Sequence, residues 1–261
     1  MNAKPPVVSS ALKVFEALEL ICQAQQPISL DQLARSLEVS GPTAYRIVNT
    51  LIETNFVKPH GYRQGYSATM KIFGLGAQYA GSFEFRDAAR RAFRPVGMRF
   101  AETITVAKAD GFEAVFIDKI RAGASLVFYC DIGRSLPLHV GAAPRSILAH
   151  LGDEEFESYL QTDLLARTTE TLTDPDELRA ARDRARADGF VLSVDEVDRG
   201  VSGIAVPILD PAGQILGAVA IANTSSAWSA ADRAARAEAM KAAAAGMAEA
   251  MGGGMAKSAI G

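Results

Sequence analysis

Ser29-Leu-Asp-Gln-Leu-Ala-Arg-Ser-Leu-Glu-Val-Ser40-Gly-Pro-Thr-Ala-Tyr-Arg-Ile-Val-Asn-Thr-Leu-Ile52 encodes two short helices joined by a tight turn. Ser29 and Gln32 stand at capping-box spacing and open the first, whose Leu30, Leu33, Ala34 and Leu37 recur on one face. Pro42 opens the second helix, where a missing N–H costs nothing, with Ser40 or Gly41 at its cap. That helix turns Ala44, Ile47, Val48, Leu51 and Ile52 inward. It shows Thr43, Arg46, Asn49, Thr50 and Glu53 outward.

Working outward, Ala11, Val14, Phe15, Leu18, Ile21 and Cys22 form the buried stripe of a preceding helix, with Ser9 or Ser10 as its N-cap. Asn55 suits a left-handed helix end. Phe56 to Lys58 and Tyr62 to Ala68 read as two strands around Pro59-His-Gly61. Three helices and a small hairpin within residues 1–68 make a winged helix-turn-helix.

Residues 69–83 read as a linker helix. A further helix, Arg86 to Phe100, is expected to kink or split at Pro95. From Thr103 the period becomes two, with Ile104, Val106 and Ala109 inward, a turn at Asp110-Gly111 and a partner strand from Ala114 to Ile120. Ser125 to Cys130 is another strand, residues 144–160 are helical, and Asp176 to Asp188 is a charged helix ending at Gly189. Ile204 to Leu209 and Gln214 to Ala222 pair across the type I turn Asp210-Pro-Ala-Gly213. A terminal helix runs from Ser229 to Met251, and residues 252–261 form a flexible tail. Residues 84–251 thus make an α+β domain with an antiparallel-rich sheet.

The 261 residues carry 27 Lys and Arg against 30 Asp and Glu, a net charge of −3 that argues against a wholly basic nucleic-acid coat. Residues 1–68 carry +1 and the remainder −4, which permits a DNA-binding head. Cys22 and Cys130, far apart and in apolar settings, are expected as buried free thiols of a cytoplasmic protein. Lys13, Glu16 and Glu19 interrupt any signal-peptide core, and Pro207, Asp210, Pro211 and Gln214 interrupt the longest apolar run, so no membrane span is expected.

Taken in order, these segments resemble the IclR family of transcriptional regulators over nearly the whole chain. The head carries Val8-Ser-Ser-Ala-Leu-Lys-Val-Phe-Glu-Ala-Leu18, Ser29 to Arg35 and Thr43 to Leu51. The second part carries Gly133-Arg-Ser-Leu-Pro-Leu-His139, Ile147-Leu-Ala149, Asp188-Gly-Phe190 and Gly200-Val-Ser-Gly-Ile-Ala-Val-Pro207. The resemblance implies a DNA-binding head, a dimer-forming linker and a C-terminal, GAF-like α/β domain holding a small organic acid. It further implies a dimer or dimer of dimers on a palindromic operator. Pairing suits the charge, since one head at +1 neutralises few phosphates.

The expected DNA contacts are Ser40, Thr43, Tyr45, Arg46 and Asn49 on the second helix of the motif, and Lys58 and Arg63 on the wing, near His60 and Gln64. Arg46 has the fork for guanine or phosphate and Asn49 the amide for adenine. The plain alternatives are an ion pair of Arg46 with Glu38 or Glu53, packing of the Tyr45 ring on the head's core, and solvated charges at Lys58 and Arg63. Many relatives have Lys-Ser where this chain has Gly41-Pro42, which removes a phosphate contact.

For the effector, the helix start at Ala142 and Ala143 offers amides to a carboxylate. The resemblance carries polar contact positions over to Ser193, Gly203, Ala220 and Ala222, with Phe128, Leu136 and Val201 as apolar walls. Better-known relatives have an acidic residue, a cysteine and two serines at those four positions. Here only Ser193 stays polar, which implies a larger or more apolar acid than a two- or three-carbon oxo acid; simple packing of Ala220 and Ala222 in their strand is the alternative.

No enzyme is expected, and no cofactor or metal. Gly200-Val-Ser-Gly203 lacks the last glycine of a nucleophile elbow, Gly74-Leu-Gly76 lacks a dinucleotide fingerprint's third, and Asp195 and Glu196 point apart. His139 reads as a structural histidine, and Arg145 either lends charge to the amide loop or lies on the surface. A winged helix that binds protein is a further alternative, disfavoured by the polar character of the outward face.

Overall fold

The computed structural model describes residues 6–61, 64–79, 84–122 and 131–258, and divides into two compact units, Met1–Ser82 and Phe83–Gly261.

In the first unit, α1 (Ser9–Gln23), α2 (Leu30–Ser36) and α3 (Gly41–Glu53) pack around Ala17, Ile21, Leu33, Leu37, Ile47, Val48, Leu51 and Val57. The Ser29–Gln32 capping box is formed in both directions. Ser40 caps α3, its Oγ accepting the Thr43 amide at 3.4 Å. Glu38 and Asn55 take positive φ of 54° and 57°, the first ending α2's turn and the second releasing the chain from α3. The wing pairs β1 (Val57–Pro59) with β2 (Tyr66–Ala68), Val57 opposite Ala68. Helix α4 (Met70–Tyr79) follows.

Three expectations change here. Residue Val8, not Ser9 or Ser10, occupies the N-cap of α1, and no side chain caps it, because both serines already lie within the helix. Cys22 is exposed, not buried. The core stripe is held by Ala17 and Ile21, and the next residue is rotated about 100° away from it. The second wing strand begins at Tyr66, because His60 N–H donates to the Gly65 carbonyl and closes the tip there. Tyr62 and Arg63 lie outside the described residues, as do the expected strand Ser125 to Cys130 and its Cys130 thiol.

The second unit is built on a six-stranded antiparallel sheet in the order β5-β4-β3-β8-β7-β6. Its strands are β3 (Thr103–Asp110), β4 (Glu113–Ile120), β5 (Ser135–Pro137), β6 (Val191–Val194), β7 (Val201–Leu209) and β8 (Ile215–Thr224). On one face lie α5 (Glu84–Phe100) and α9 (Ala230–Ser258), over Ile104, Val106, Ile204, Val206, Val219 and Ile221. On the other lie α6 (Ala142–His150), α7 (Asp153–Leu160) and α8 (Pro175–Asp188), over Ala107, Ala114, Phe116, Ala205, Ala218, Ala220 and Ala222. Small residues on that second face let α6 lie close to the strands.

Because both faces are covered, Thr103 to Ala107 are all buried instead of alternating with solvent. Helix α5 continues through Pro95. That residue is exposed, so the carbonyl its ring leaves without an amide partner faces water. The expected 144–160 helix is two helices, broken where Leu151 turns extended and Gly152 begins α7. Helix α9 runs beyond Met251, through the glycines, to Ser258.

A buried carboxylate joins β3, β8 and α9. Glu102 accepts from Trp228 Nε1 and Asn223 Nδ2, both at 2.8 Å, and from Arg236 through Nε at 2.9 Å and Nη2 at 2.8 Å.

Candidate functional site

On the first unit, α3 presents Thr43, Tyr45 and Arg46 to solvent and half-buries Asn49. Tyr45 is 52% exposed, so its ring is not spent on the core. Its ring borders a cleft with Ser29, Asp31, Pro59 and Tyr66, residues of α2's start and the wing. Arg46 forms no ion pair with Glu38 or Glu53 among the described residues, which leaves its guanidinium free to donate. Ser40 Oγ and Thr43 Oγ1 share a 2.9 Å hydrogen bond at the helix N-terminus, where orphan amides and the helix dipole favour an anion. Lys58 is exposed on β1, whereas His60 Nε2 is engaged with Ser67 Oγ at 2.6 Å. Arg63 lies outside the described residues.

On the second unit, a small cavity of about 40 Å³ opens at the start of α6. It gathers Leu136, Ala142, Ala143, Ser193, Val201, Gly203, Ala220 and Ala222, from β5, α6, β6, β7 and β8. Phe128, the ninth expected residue, lies outside the described residues. The register explains the gathering: Gly203 lies opposite both Ser193 and Ala222, and Ala220 lies two residues further along β8. At Gly203 the helix lies close, since a Cβ there would sit 3.2 Å from Ala142 Cβ.

Gly141 precedes α6 with φ 89°, a conformation that favours glycine, and a Cβ there would meet Val197 Cγ2 at 2.5 Å. No side chain caps α6. The amides of Ala142 and Ala143 therefore have no intrahelical acceptor, while Pro144 has no amide to satisfy. Behind the mouth, Arg145 and Glu196 form a buried bidentate pair, with Nε to Oε2 at 2.9 Å and Nη2 to Oε1 at 2.5 Å. Arg145 also donates to the Leu192 carbonyl, and the Gly141 amide donates to Glu196 Oε2. Arg145 is thus neither a surface residue nor a free charge for the amide loop. Burial raises the Glu196 carboxyl pKa, while Arg145 pulls it the other way.

Six further residues line the cavity: Thr105, Phe116, Gly141, Pro144, Val197 and Ser202. Gly141 lay within reach of the sequence, beside the amide loop. Thr105 and Phe116 did not, because strand pairing across β3, β4 and β8 brings them there.

His139 is buried and structural. Its Nε2–H donates to the Leu165 carbonyl at 3.2 Å, so Nδ1 accepts from the Tyr159 hydroxyl at 2.6 Å. Burial lowers the His139 pKa and pushes the Tyr159 hydroxyl up to about 12, which keeps both neutral. The Ser202 hydroxyl donates to Ser225 Oγ, which donates to Asp195, so no base stands beside it as in a nucleophile pair. Asp195 and Glu196 do point apart, one to Ser225 and the other to Arg145. Among the described residues, no three His, Cys, Asp or Glu are grouped to hold a metal, and no helix is long and apolar enough to cross a membrane.

The bacterial transcriptional regulator IclR C-terminal domain matches residues 77–248, and the IclR helix-turn-helix domain matches residues 10–61. The HTH-type transcriptional regulator KdgR of Escherichia coli (strain K12) is 30% identical over 222 residues, covering 85% of this chain and 84% of that protein. The crystal structure of Thermotoga maritima IclR is 26% identical, with a TM-score of 0.79 over 94% of this chain and 99% of that one. An IclR homolog from Microbacterium hydrocarbonoxydans, crystallised with 4-hydroxybenzoate, shares the fold at 21% identity. Its TM-score is 0.79 over 92% of this chain and 98% of its own. With a winged helix-turn-helix at one end, a cavity-bearing α/β domain at the other and both family domains matched in order, the chain belongs to the IclR family of DNA-binding transcriptional regulators with a small-molecule effector domain.

Proposed function

We propose that operator binding by this regulator is controlled by an organic acid seated at the start of α6, its carboxylate on the Ala142 and Ala143 amides. One observation carries this reading. The two amides without intrahelical acceptors line the same cavity as Ser193, Gly203, Ala220 and Ala222. A helix start in a mostly apolar enclosure holds a carboxylate strongly, because no water competes for the amides.

Glycine and two alanines on the floor favour an acid larger or more apolar than a two- or three-carbon oxo acid. The 4-hydroxybenzoate held by the Microbacterium homolog is an acid of that kind.

Operator recognition is assigned to Ser40, Thr43, Tyr45, Arg46, Asn49, Lys58 and Arg63. A palindromic operator and a dimer or dimer of dimers follow from the low charge of one head, since two heads double the phosphate contacts and set the register. The acid acts by favouring one arrangement of the paired heads, and its effect is bounded by its differential affinity for the two arrangements.

The test is calorimetric titration with a panel of small oxo acids and aromatic acids, then gel shifts of each hit on DNA upstream of the protein's own coding region. Aromatic or branched acids should bind in the micromolar range and change the gel shift. Tight binding of only the two- and three-carbon oxo acids would overturn the size assignment.

A further inference from the structure

Three side-chain hydroxyls belong to residues lining the cavity, those of Thr105, Ser193 and Ser202. Two have polar neighbours in the protein. Ser193 lies beside the Glu196 carboxylate, and Ser202 donates to Ser225. Thr105 is 1% exposed, and its hydroxyl has no hydrogen-bond partner among the described residues. Its direction follows from parity along β3. Ile104 and Val106 pack under α5 and α9, and Ala107 packs under α6, so Thr105 points to the α6 face, where the cavity lies. A hydroxyl on the cavity wall that no protein group engages is placed to meet a ligand's polar atom.

The register places it across the floor from the helix start. Thr105 pairs with Ala220, and Gly203, which touches Ala142, pairs with Ala222. Thr105 therefore stands two strands across and two residues along from Gly203, roughly 12 Å at ordinary strand spacing and rise. An acid seated at the helix start must cross that stretch of the floor to reach Thr105, and a ring carrying polar groups at opposite ends is suited to do so.

We propose that Thr105 selects the effector by hydrogen-bonding a hydroxyl at the far end of an aromatic acid whose carboxylate sits on the Ala142 and Ala143 amides. The proposal rests on the reading of this cavity as the acid's site. Ala220 and Ala222 flank the ring and supply no competing polar group. An acid lacking the distal hydroxyl leaves Thr105 unpaired and binds more weakly.

The experiment is calorimetric titration of the full chain with 4-hydroxybenzoate and with benzoate, repeated on Thr105→Val and Thr105→Ser. The wild type should bind 4-hydroxybenzoate roughly tenfold or more tightly than benzoate. Thr105→Val should remove that gap by weakening only the hydroxy acid, and Thr105→Ser should retain it. Benzoate binding by Thr105→Val also reports that the variant is folded. Equal affinity of the wild type for the two acids, or a gap that survives in Thr105→Val, overturns the role of Thr105 while leaving the cavity reading intact. If neither acid binds the wild type, the cavity reading falls and the Thr105 assignment falls with it.

Discussion

Arg145 and Glu196 lie 51 residues apart in sequence and meet behind the cavity mouth, with side chains only 9% and 8% exposed. Removing one partner leaves the other charge buried without compensation. Arg145→Met is expected to cost about 3–5 kcal/mol, measured by urea unfolding of the second unit's transition, whereas Arg145→Met combined with Glu196→Met should recover much of that loss. A double variant as unstable as the single one would show that the pair does more than neutralise itself.

Two histidines, His139 buried and His150 half-buried, set an acid limit. Burial lowers the pKa of both His139 and His150 below the ordinary 6.5. The folded chain thus binds fewer protons than the unfolded one as pH falls below 6.5, and stability is lost through the lowered values. Glu196 acts in the opposite sense. Its raised pKa lets the fold keep a proton that the unfolded chain releases, so its contribution declines as pH rises above the ordinary 4.5. Thermal unfolding between pH 7.5 and 5.5 should show falling stability, and the slope should flatten in His139→Gln. An unchanged slope in that variant assigns the acid loss elsewhere.

DNA recognition separates into two kinds of contact. Arg46→Ala is expected to lower affinity for the specific operator by roughly 10–100-fold, with fold and oligomer size intact. Lys58→Ala should weaken all duplexes about equally and reduce the slope of log affinity against log salt by about one. Gel shifts at several salt concentrations distinguish the two, and unchanged affinity in Arg46→Ala removes it from the interface.

Gly141 joins the loop carrying Val197 to the start of α6. Gly141→Ala places a methyl group 2.5 Å from Val197 Cγ2 at a φ of 89°. Backbone strain alone costs about 1–3 kcal/mol, and the displaced loop should weaken acid binding further. Thermal unfolding and calorimetry together should show both losses.

Returning hydroxyls to the floor should shift selectivity. Ala220→Ser with Ala222→Ser gives the cavity the polar lining associated with small oxo acids. Binding of pyruvate relative to benzoate should rise by roughly tenfold, since each added hydroxyl gains a ligand partner or goes unpaired. A ratio that does not move means these two positions do not face the ligand.

The winged head was readable almost residue by residue, because its caps and stripes are local. Ser29, Ser40, Pro42 and Asn55 each act within four residues of their own position. Cys22 misled because it falls one residue past a stripe that only packing defines. Most of the cavity was legible through the resemblance, with no geometry behind it. Thr105 escaped because alternation marks a threonine between Ile104 and Val106 as facing water, and only helices on both faces of the sheet reverse that. Arg145 escaped for a similar reason, since its partner arrives from a loop 51 residues later.

Strands β3, β7 and β8 are interior strands, paired on both edges in a sheet covered on both faces, while Val197 belongs to a loop held by side chains. That loop hangs on Thr168 and Thr171, whose hydroxyls donate to the carbonyls of Asp195 and Glu196 at 2.7 and 2.8 Å. The base of the chamber is therefore built of paired strands, and its ceiling is held by the side chains of Thr168, Thr171 and Arg145. Adjustment to differently shaped guests belongs to the ceiling, and amide exchange should quicken there first.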